Sequence, residues 1–282
     1  MPQNPFILAT KSPSSEVHVF DVSKHPSVPK DGSFRPEHQC TGHTKEGYGL
    51  SWNPHIAGQL LSGSDDGSIC LWDINQACMK IAALSTWQDH VDVVEDVSWH
   101  AHNPHVFGSV GDDRQLLLWD ARNKQQDPFA RVTAAHCADI NAIAFNQHHE
   151  FLLATGSADE TIKVWDIRNT SEAIHTLSGH TKEVFQLQWA PFSASILSSC
   201  GADRRVRVWD LNKIGAGQTS VPNLHDDGPD ELMFIHGGHN DKISDLSWNP
   251  RDDWILASVS DDNILQIWRI VSTNQVHVHV NN

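Results

Sequence analysis

The 282-residue chain has one tyrosine, three methionines, and five cysteines (Cys40, Cys70, Cys78, Cys137 and Cys200) without a single C-x-x-C pair. An odd cysteine count with no metal or redox spacing disfavours a secreted disulfide framework and fits a reduced intracellular compartment. No run of about 18 apolar residues occurs, so no membrane-spanning helix is expected. The N-terminus lacks a basic stretch leading into an apolar one, so no secretory signal is expected either. Basic residues are scarce: 20 Lys and Arg stand against 35 Asp and Glu, giving a formal net charge of −15. That deficit argues against nucleic-acid binding through a basic face and suits a basic partner such as a Lys/Arg-rich tail. Solubility alone also accounts for an acidic surface. No glycine-rich phosphate loop, G-x-S-x-G elbow or metal-spaced cysteine cluster is present. No catalytic set, cofactor or metal is therefore expected.

What the chain has in excess is tryptophan and histidine, 11 and 19 copies. Residues used so unevenly point to a repeated role. Trp-Asp occurs at Trp72-Asp73, Trp119-Asp120, Trp165-Asp166 and Trp209-Asp210, with Trp268-Arg269 as a variant. A histidine lies 29 residues before each tryptophan: His43, His90, His136, His180 and His239. Six residues before each tryptophan stands an aspartate: Asp66, Asp113, Asp159, Asp203 and Asp262. Nine residues after each histidine stands an aromatic: Trp52, Trp99, Phe145, Trp189 and Trp248. Five copies of one four-point spacing define a structural repeat.

Within each unit, stretches such as "YGLSWNP", "QLLSGS" and "SICLWD" alternate apolar and polar residues between Asn-Pro, Gly and Asp-Asp-Gly turns. That is the pattern of short strands. Four strands per roughly 45 residues is the blade of a β-propeller. The expected fold is an all-β propeller over residues 1–270. A partial blade spans 1–40, and full repeats span about 41–86, 87–132, 133–176, 177–236 and 237–270. The fourth carries an acidic insertion at about 212–236, and a tail follows at 271–282. The partial blade is read from "MPQNPFILATKS", which matches the turn and second strand of "FNQHHEFLLATGS", and from "EVHVFD", which matches the third strand. Its first strand is missing, which predicts a gapped or imperfectly closed ring. The Val276–Val280 tail is a candidate for patching an edge.

The Gly-His and Trp-Asp motifs resemble the WD-repeat family. In that family a histidine, a strand hydroxyl, the turn aspartate and the tryptophan form a hydrogen-bonded chain inside each blade. The resemblance implies structural roles for His43, Asp66 and Trp72; His90, Asp113 and Trp119; His136, Asp159 and Trp165; His180, Asp203 and Trp209; and His239, Asp262 and Trp268. Burial supports the implication, because a buried aspartate must be paired. A spacing kept in all five copies suits a scaffold better than one active site.

Further stretches narrow the likeness: "GHTKEGYGLSWNP", "VVEDVSWH", "FLLATGSADETIKVWD", "DGPDELMFIHGGHNDKISDLSWNP" and "SVSDDNILQIW". With the opening segment they resemble the retinoblastoma-binding, MSI-type histone chaperones, with seven blades and a long N-terminal helix. The resemblance implies a nuclear scaffold, with a cytoplasmic pool as second compartment. Its partners would be core histones and subunits of deacetylase, remodelling, Polycomb and chromatin-assembly complexes, without direct nucleic-acid or membrane binding. A WD-repeat substrate receptor for another basic peptide, as in a ubiquitin ligase, is the alternative.

Position within the repeat places Glu46, Glu95, Asp139 and Glu183, with Tyr48 and Phe185, where the chain enters each first strand. Asp65, Asp112 and Asp261 join them from the turns between second and third strands. Carboxylates with interleaved aromatic faces make a socket for Arg or Lys. The tail-binding positions implied by the resemblance are Glu46, Tyr48, Glu95, Asn141, Glu183, Phe185, Lys242 and Asp261. A second, helix-binding groove is implied at the acidic insertion, through Asp226, Asp227, Asp230 and Glu231, but the helix forming its other wall is absent from this chain. The cluster His100, His102 and His105 reads as a surface turn rather than a zinc site. In "ADRRVRVWD", Arg205 and Arg207 read as an exposed strand face.

Overall fold

A computed structural model of the protein describes residues 1–28, 31–215 and 228–271. The expected edge-patching tail and much of the acidic insertion lie outside them. The chain divides into two compact units, Met1–Phe145 and Asn146–Asn282. Among the described residues there is no α-helix, only two single-turn 3-10 segments at Val22–Lys24 and Leu211–Lys213.

The first unit begins with β1 (Ile7–Lys11), β2 (Val17–Asp21) and β3 (His38–Thr41), which pair antiparallel in sequence order. Next come β4 (Leu50–Trp52), β5 (Gln59–Gly63) and β6 (Ile69–Asp73), then β7 (Lys80–Ala82) and β8 (Ser85–Trp87). The second sheet runs β4-β5-β6-β8. β7 does not join it. Lys80–Ala82 instead pairs parallel with β3 at the rim of the first sheet. The stretch "MKIAALS" is thus shared between two sheets, Lys80–Ala82 in the first and Ser85 at the start of β8 in the second. A third sheet is formed by β9 (Val94–Trp99), β10 (Val106–Gly111), β11 (Leu116–Asp120) and β12 (Ala130–Val132). The unit closes with β13 (Ile140–Phe145), beside β9.

The second unit contains β14 (Leu152–Ser157), β15 (Thr161–Asp166) and β16 (His175–Ser178), paired antiparallel in order. β17 (Val184–Trp189), β18 (Ile196–Gly201), β19 (Val206–Asp210) and β20 (Leu232–His236) make a four-stranded sheet. β21 (Ile243–Trp248), β22 (Ile255–Ser260) and β23 (Leu265–Arg269) make a three-stranded one. These are antiparallel blades, and within each unit neighbouring blades stack face to face. Leu61, Ile69, Leu71 and Trp87 of the second sheet pack on Val97, Trp99, Phe107 and Trp119 of the third. In the other unit, Ile196, Val206 and Val208 pack on Ile243, Leu246 and Trp248.

Because interior blades are covered on both faces, their third strands read as apolar runs such as "ICLW" and "LLLW" rather than clean alternations. β23 departs from this: Leu265 and Ile267 are 60% and 69% exposed, while Leu116 and Leu118, at the same repeat positions, are 0% and 1%.

First strands lie side by side through bonds from side chain to main chain. The Trp99 amide donates to Ser51 Oγ at 3.1 Å, the Ile143 amide to Asp96 Oδ2 at 3.0 Å, and the Trp248 amide to Gln188 Oε1 at 2.7 Å. These contacts hold successive first strands side by side within each unit, and the candidate site lies where the chain enters them.

Candidate peptide-binding site

The buried networks hold the loops of this site. His90 Nδ1–H donates to Asp113 Oδ2 at 2.9 Å, Ser109 donates to His90 Nε2 at 2.7 Å, and Trp119 Nε1–H donates to Ser109 Oγ at 2.8 Å. His180, Asp203, Ser199 and Trp209 repeat this chain with distances of 3.0, 2.7 and 2.9 Å. Trp165 Nε1–H donates to Thr155 Oγ1 at 2.9 Å, while His136 and Asp159 sit in buried and half-buried positions of the same repeat.

Two repeats depart from the implied chain. His43 reaches Asp66 through Ser68, with Nδ1 2.9 Å from Ser68 Oγ and that hydroxyl donating to Asp66 Oδ1 at 2.6 Å. Trp72 donates to the Thr41 carbonyl at 3.0 Å instead of to a strand hydroxyl. In the last repeat His239 Nε2 meets Ser258 Oγ at 2.7 Å, but its Nδ1 is buried without a partner, because Asp262 is taken up by Ser260.

What all five aspartates share is a turn. Oδ1 accepts the amide two residues on, from Ser68, Gln115, Thr161, Arg205 and Ile264. The residue between adopts a left-handed conformation: Gly67 (φ 75°), Arg114 (60°), Glu160 (70°), Arg204 (62°) and Asn263 (64°). Only the first of these is glycine. A Cβ there would lie 3.3 Å from both the Asp92 and His90 carbonyl oxygens. Gly67→Ala is expected to cost about 1 kcal/mol through strain at positive φ. Thermal unfolding would show it as a melting temperature lowered by a few degrees.

Arg207 corrects the sequence reading. It is 6% exposed, not on an open strand face. Its Nη1 donates to Asp203 and lies 2.9 Å from His180 Nδ1. Burial pushes Asp203 up, but His180 and Arg207 outweigh it and hold the carboxyl at about 2.

The same bond fixes the upper loops in four repeats. The turn amide donates to the carbonyl of the residue six before the strand aromatic: Asp65 to Glu46 (2.9 Å), Asp112 to Val93 (3.1 Å), Ala202 to Glu183 (2.9 Å) and Asp261 to Lys242 (3.0 Å). Thus each entry loop and each turn, far apart in sequence, present their side chains at one end of the blade.

In the first unit this gathers Asp65, Glu95, Asp112 and Asp139, with Asp92 nearby. Glu95 is pushed up to about 7, first by burial, then by Asp112, Asp65 and Asp139. Asp112 is pushed up to about 6 by burial and then by Asp139 and Asp92. Asp65 Oδ1 is buried with no hydrogen-bond partner. Tyr48 stands 76% exposed beside them in sequence, an uncovered aromatic face, with Glu46 also exposed and Asn141 half-buried. Carboxylates pushed up together by burial and by one another mark a candidate site for positive charge.

The second unit holds Glu183, exposed, and Phe185, half-buried, together with a ready-made ion pair: Lys242 Nζ lies 3.1 Å from Asp261 Oδ2. At the acidic insertion, Asp226 and Asp227 lie outside the described residues. Asp230 is exposed, but Glu231 is 8% exposed and bonded to His175 Nε2 at 3.2 Å, so it serves the blade rather than a groove. A cavity of about 560 Å³ lies alongside, lined by Gly179, Arg207, Pro229, Leu232 and Phe234.

His100, read as part of a surface turn, is buried at 4% and caps that turn, its Nδ1 accepting the His102 and Asn103 amides at 2.9 and 3.0 Å. No group of metal-ligating side chains forms among the described residues.

One residue of the first unit escaped the sequence reading. Lys11, at the end of β1, donates from Nζ to the Gly63 carbonyl, and Asp66 and Asp65 are the charges that favour its ammonium. The signal was available: the other repeats have Gly63, Val110, Gly156, Cys200 and Val259 at its position.

Two known families match the chain. The EIPR1 beta-propeller family matches residues 88–209, and the WD40 family (WD domain, G-beta repeat) matches residues 34–73 and 230–269.

Proposed function

We propose that this chain, a WD-repeat β-propeller scaffold of the kind that commonly mediates protein–protein interaction, binds the basic tails of core histones. The proposal places it as a histone-binding subunit of chromatin-modifying, remodelling or assembly complexes in the nucleus. One observation carries the reading: the first unit concentrates carboxylates whose ionisation is held back by burial and mutual repulsion, beside an uncovered tyrosine. A lysine or arginine would relieve that repulsion through charge-assisted bonds, and Tyr48 would stack on the guanidinium or alkyl stem. The net charge of −15 favours approach of such a tail over any anionic partner. The residues implied by resemblance, Glu46, Tyr48, Glu95, Asn141, Glu183, Phe185, Lys242 and Asp261, are the ones to vary. The EIPR1 match is specific neither to this reading nor to a ubiquitin-ligase receptor.

The test is titration of a synthetic core-histone tail peptide across a salt series. Binding is expected to weaken steeply with salt, and Tyr48→Ala to weaken it more than tenfold. An acidic peptide of equal length should not bind. If Tyr48→Ala and Glu95→Ala bind as the parent does, the tail-binding reading fails.

A further inference from the structure

Lys11 occupies a position that every full repeat fills with a small or apolar residue, yet it is accommodated. Its stem lies partly buried at the end of β1, and its ammonium donates to the Gly63 carbonyl, two residues before Asp65. The ammonium lies against Gly47: a Cβ at that position would lie 2.6 Å from Lys11 Nζ, and equally close to the Gly63 carbonyl oxygen and Ser64 Cα. Gly47 belongs to the entry loop of Glu46 and Tyr48, so the ammonium is wedged between that loop and the turn of Asp65 and Asp66. Asp66 and Asp65 favour the ammonium, while burial works against it and brings Lys11 down to about 8. His43 feels the same cation: after burial, Lys11 is the main cause holding its imidazole down at about 4.

An ammonium has three donors, and only one bond is spent on Gly63. The Asp65 carboxylate has one oxygen shut away from solvent and unbonded, so an incoming side chain cannot reach that atom. Asp66 and Asp65, at this end of the cluster, are thus within electrostatic reach of a cation of the chain itself. At the other end, Glu95 and Asp112 have no such cation among the causes acting on them, only other carboxylates and burial.

We infer that Lys11 is a resident cation of the acidic site and a specificity-determining residue for its guest. It fills the Asp65 end, repels a second positive charge there, and directs the guest's lysine or arginine to Glu95 and Asp112. This inference rests on the peptide-binding reading above.

The experiment compares the parent, Lys11→Met and Lys11→Arg in binding the synthetic core-histone tail peptide at pH 7. Met keeps the stem and removes the charge. Removing a like charge from the edge of the site is expected to tighten binding about fivefold to tenfold, while Lys11→Arg stays within about twofold of the parent. Unchanged or weaker binding by a folded Lys11→Met overturns the inference. Should Lys11→Met not fold, the parent answers instead. After reductive ¹³C-methylation, the Lys11 dimethylamino resonance is expected to shift and its pKa to fall on saturation with peptide; a resonance that does not move overturns the proposal. If the parent binds no peptide, the peptide-binding reading fails by itself. The resident-cation part is then judged on His43, whose imidazole pKa is expected to rise in Lys11→Met. An unmoved His43 would refute it.

Discussion

Glu95→Gln is expected to weaken binding of a core-histone tail peptide more than tenfold and, at pH 8, to raise the melting temperature. The two effects have one cause. In the free protein Glu95 shares a confined space with Asp112, Asp65 and Asp139, and it is held up at about 7 by burial and then by those neighbours. A group whose folded-state pKa lies above its unfolded value stabilises the fold fully below the unfolded pKa. That contribution is lost as pH rises through the folded value. For Glu95 the loss runs from its ordinary carboxyl range up to about 7, and for Asp112 up to about 6. Parent and variant should therefore melt at similar temperatures near pH 4.5 and diverge as pH rises, the variant being the more stable.

A cationic guest is expected to reverse the balance, because it would supply the counter-charge that Glu95 and Asp112 lack. A charge-assisted hydrogen bond is worth about 1.5–3 kcal/mol, which is one to two decades in Kd. The amide of glutamine keeps the shape and loses that charge. Peptide affinity of the parent should also rise from pH 5 to pH 8 as the cluster ionises. Calorimetric titration and thermal melts at the two pH values check both arms. Equal affinity of parent and variant would refute the site, whatever the melts show.

The second large effect is structural. Ser109→Ala is expected to destabilise the protein by about 3 kcal/mol, and Ser109→Thr to restore most of that loss. Ser109 is fully buried and sits between two ring nitrogens. It accepts from Trp119 Nε1–H at 2.8 Å and donates to His90 Nε2 at 2.7 Å. Alanine leaves an indole donor and an imidazole acceptor stranded in a dry core, each costing about 1–3 kcal/mol. Threonine is the natural rescue because Thr155 receives the Trp165 indole in the same way. Ser258→Ala should be milder, under about 2 kcal/mol. Its partner His239 already has an unbonded Nδ1, and the Trp268 contact is long at 3.3 Å. Equal losses at Ser109 and Ser258 in denaturant melts would show that the hub is not what holds the blade.

A histidine and a tryptophan 29 residues apart, with the aspartate between them, can be read without coordinates because each repeat uses local chemistry. Short apolar runs form strands, and an Asp accepting the amide two residues on forms the turn. Hence β5, β6, β10 and β11 fall where the alternation and turn residues put them. β7 could not be read in the same way. Nothing in the residues "KIA" names a partner strand, and the pairing with the rim of β3 is a tertiary contact. Arg207 failed for a related reason. Strand alternation assigns it to an outer face, but a guanidinium can be buried when Asp203 receives it.

The candidate site divides along the same line. Sequence alone determined the blades, the recurring turn and the acidic and aromatic character of the entry loops, because these follow from residue type and spacing within about 45 residues. Tertiary structure decided which of those residues interact. Asp65, Glu95, Asp112 and Asp139 come from three successive repeats, and only the stacking of blades brings them within electrostatic reach. It also decided that Glu231 turns inward to His175 and that Asp261 already has Lys242. And it brought Lys11, from the end of β1, to the edge of the carboxylates. Coulombic coupling depends on distance and burial, and neither is written in the order of the residues.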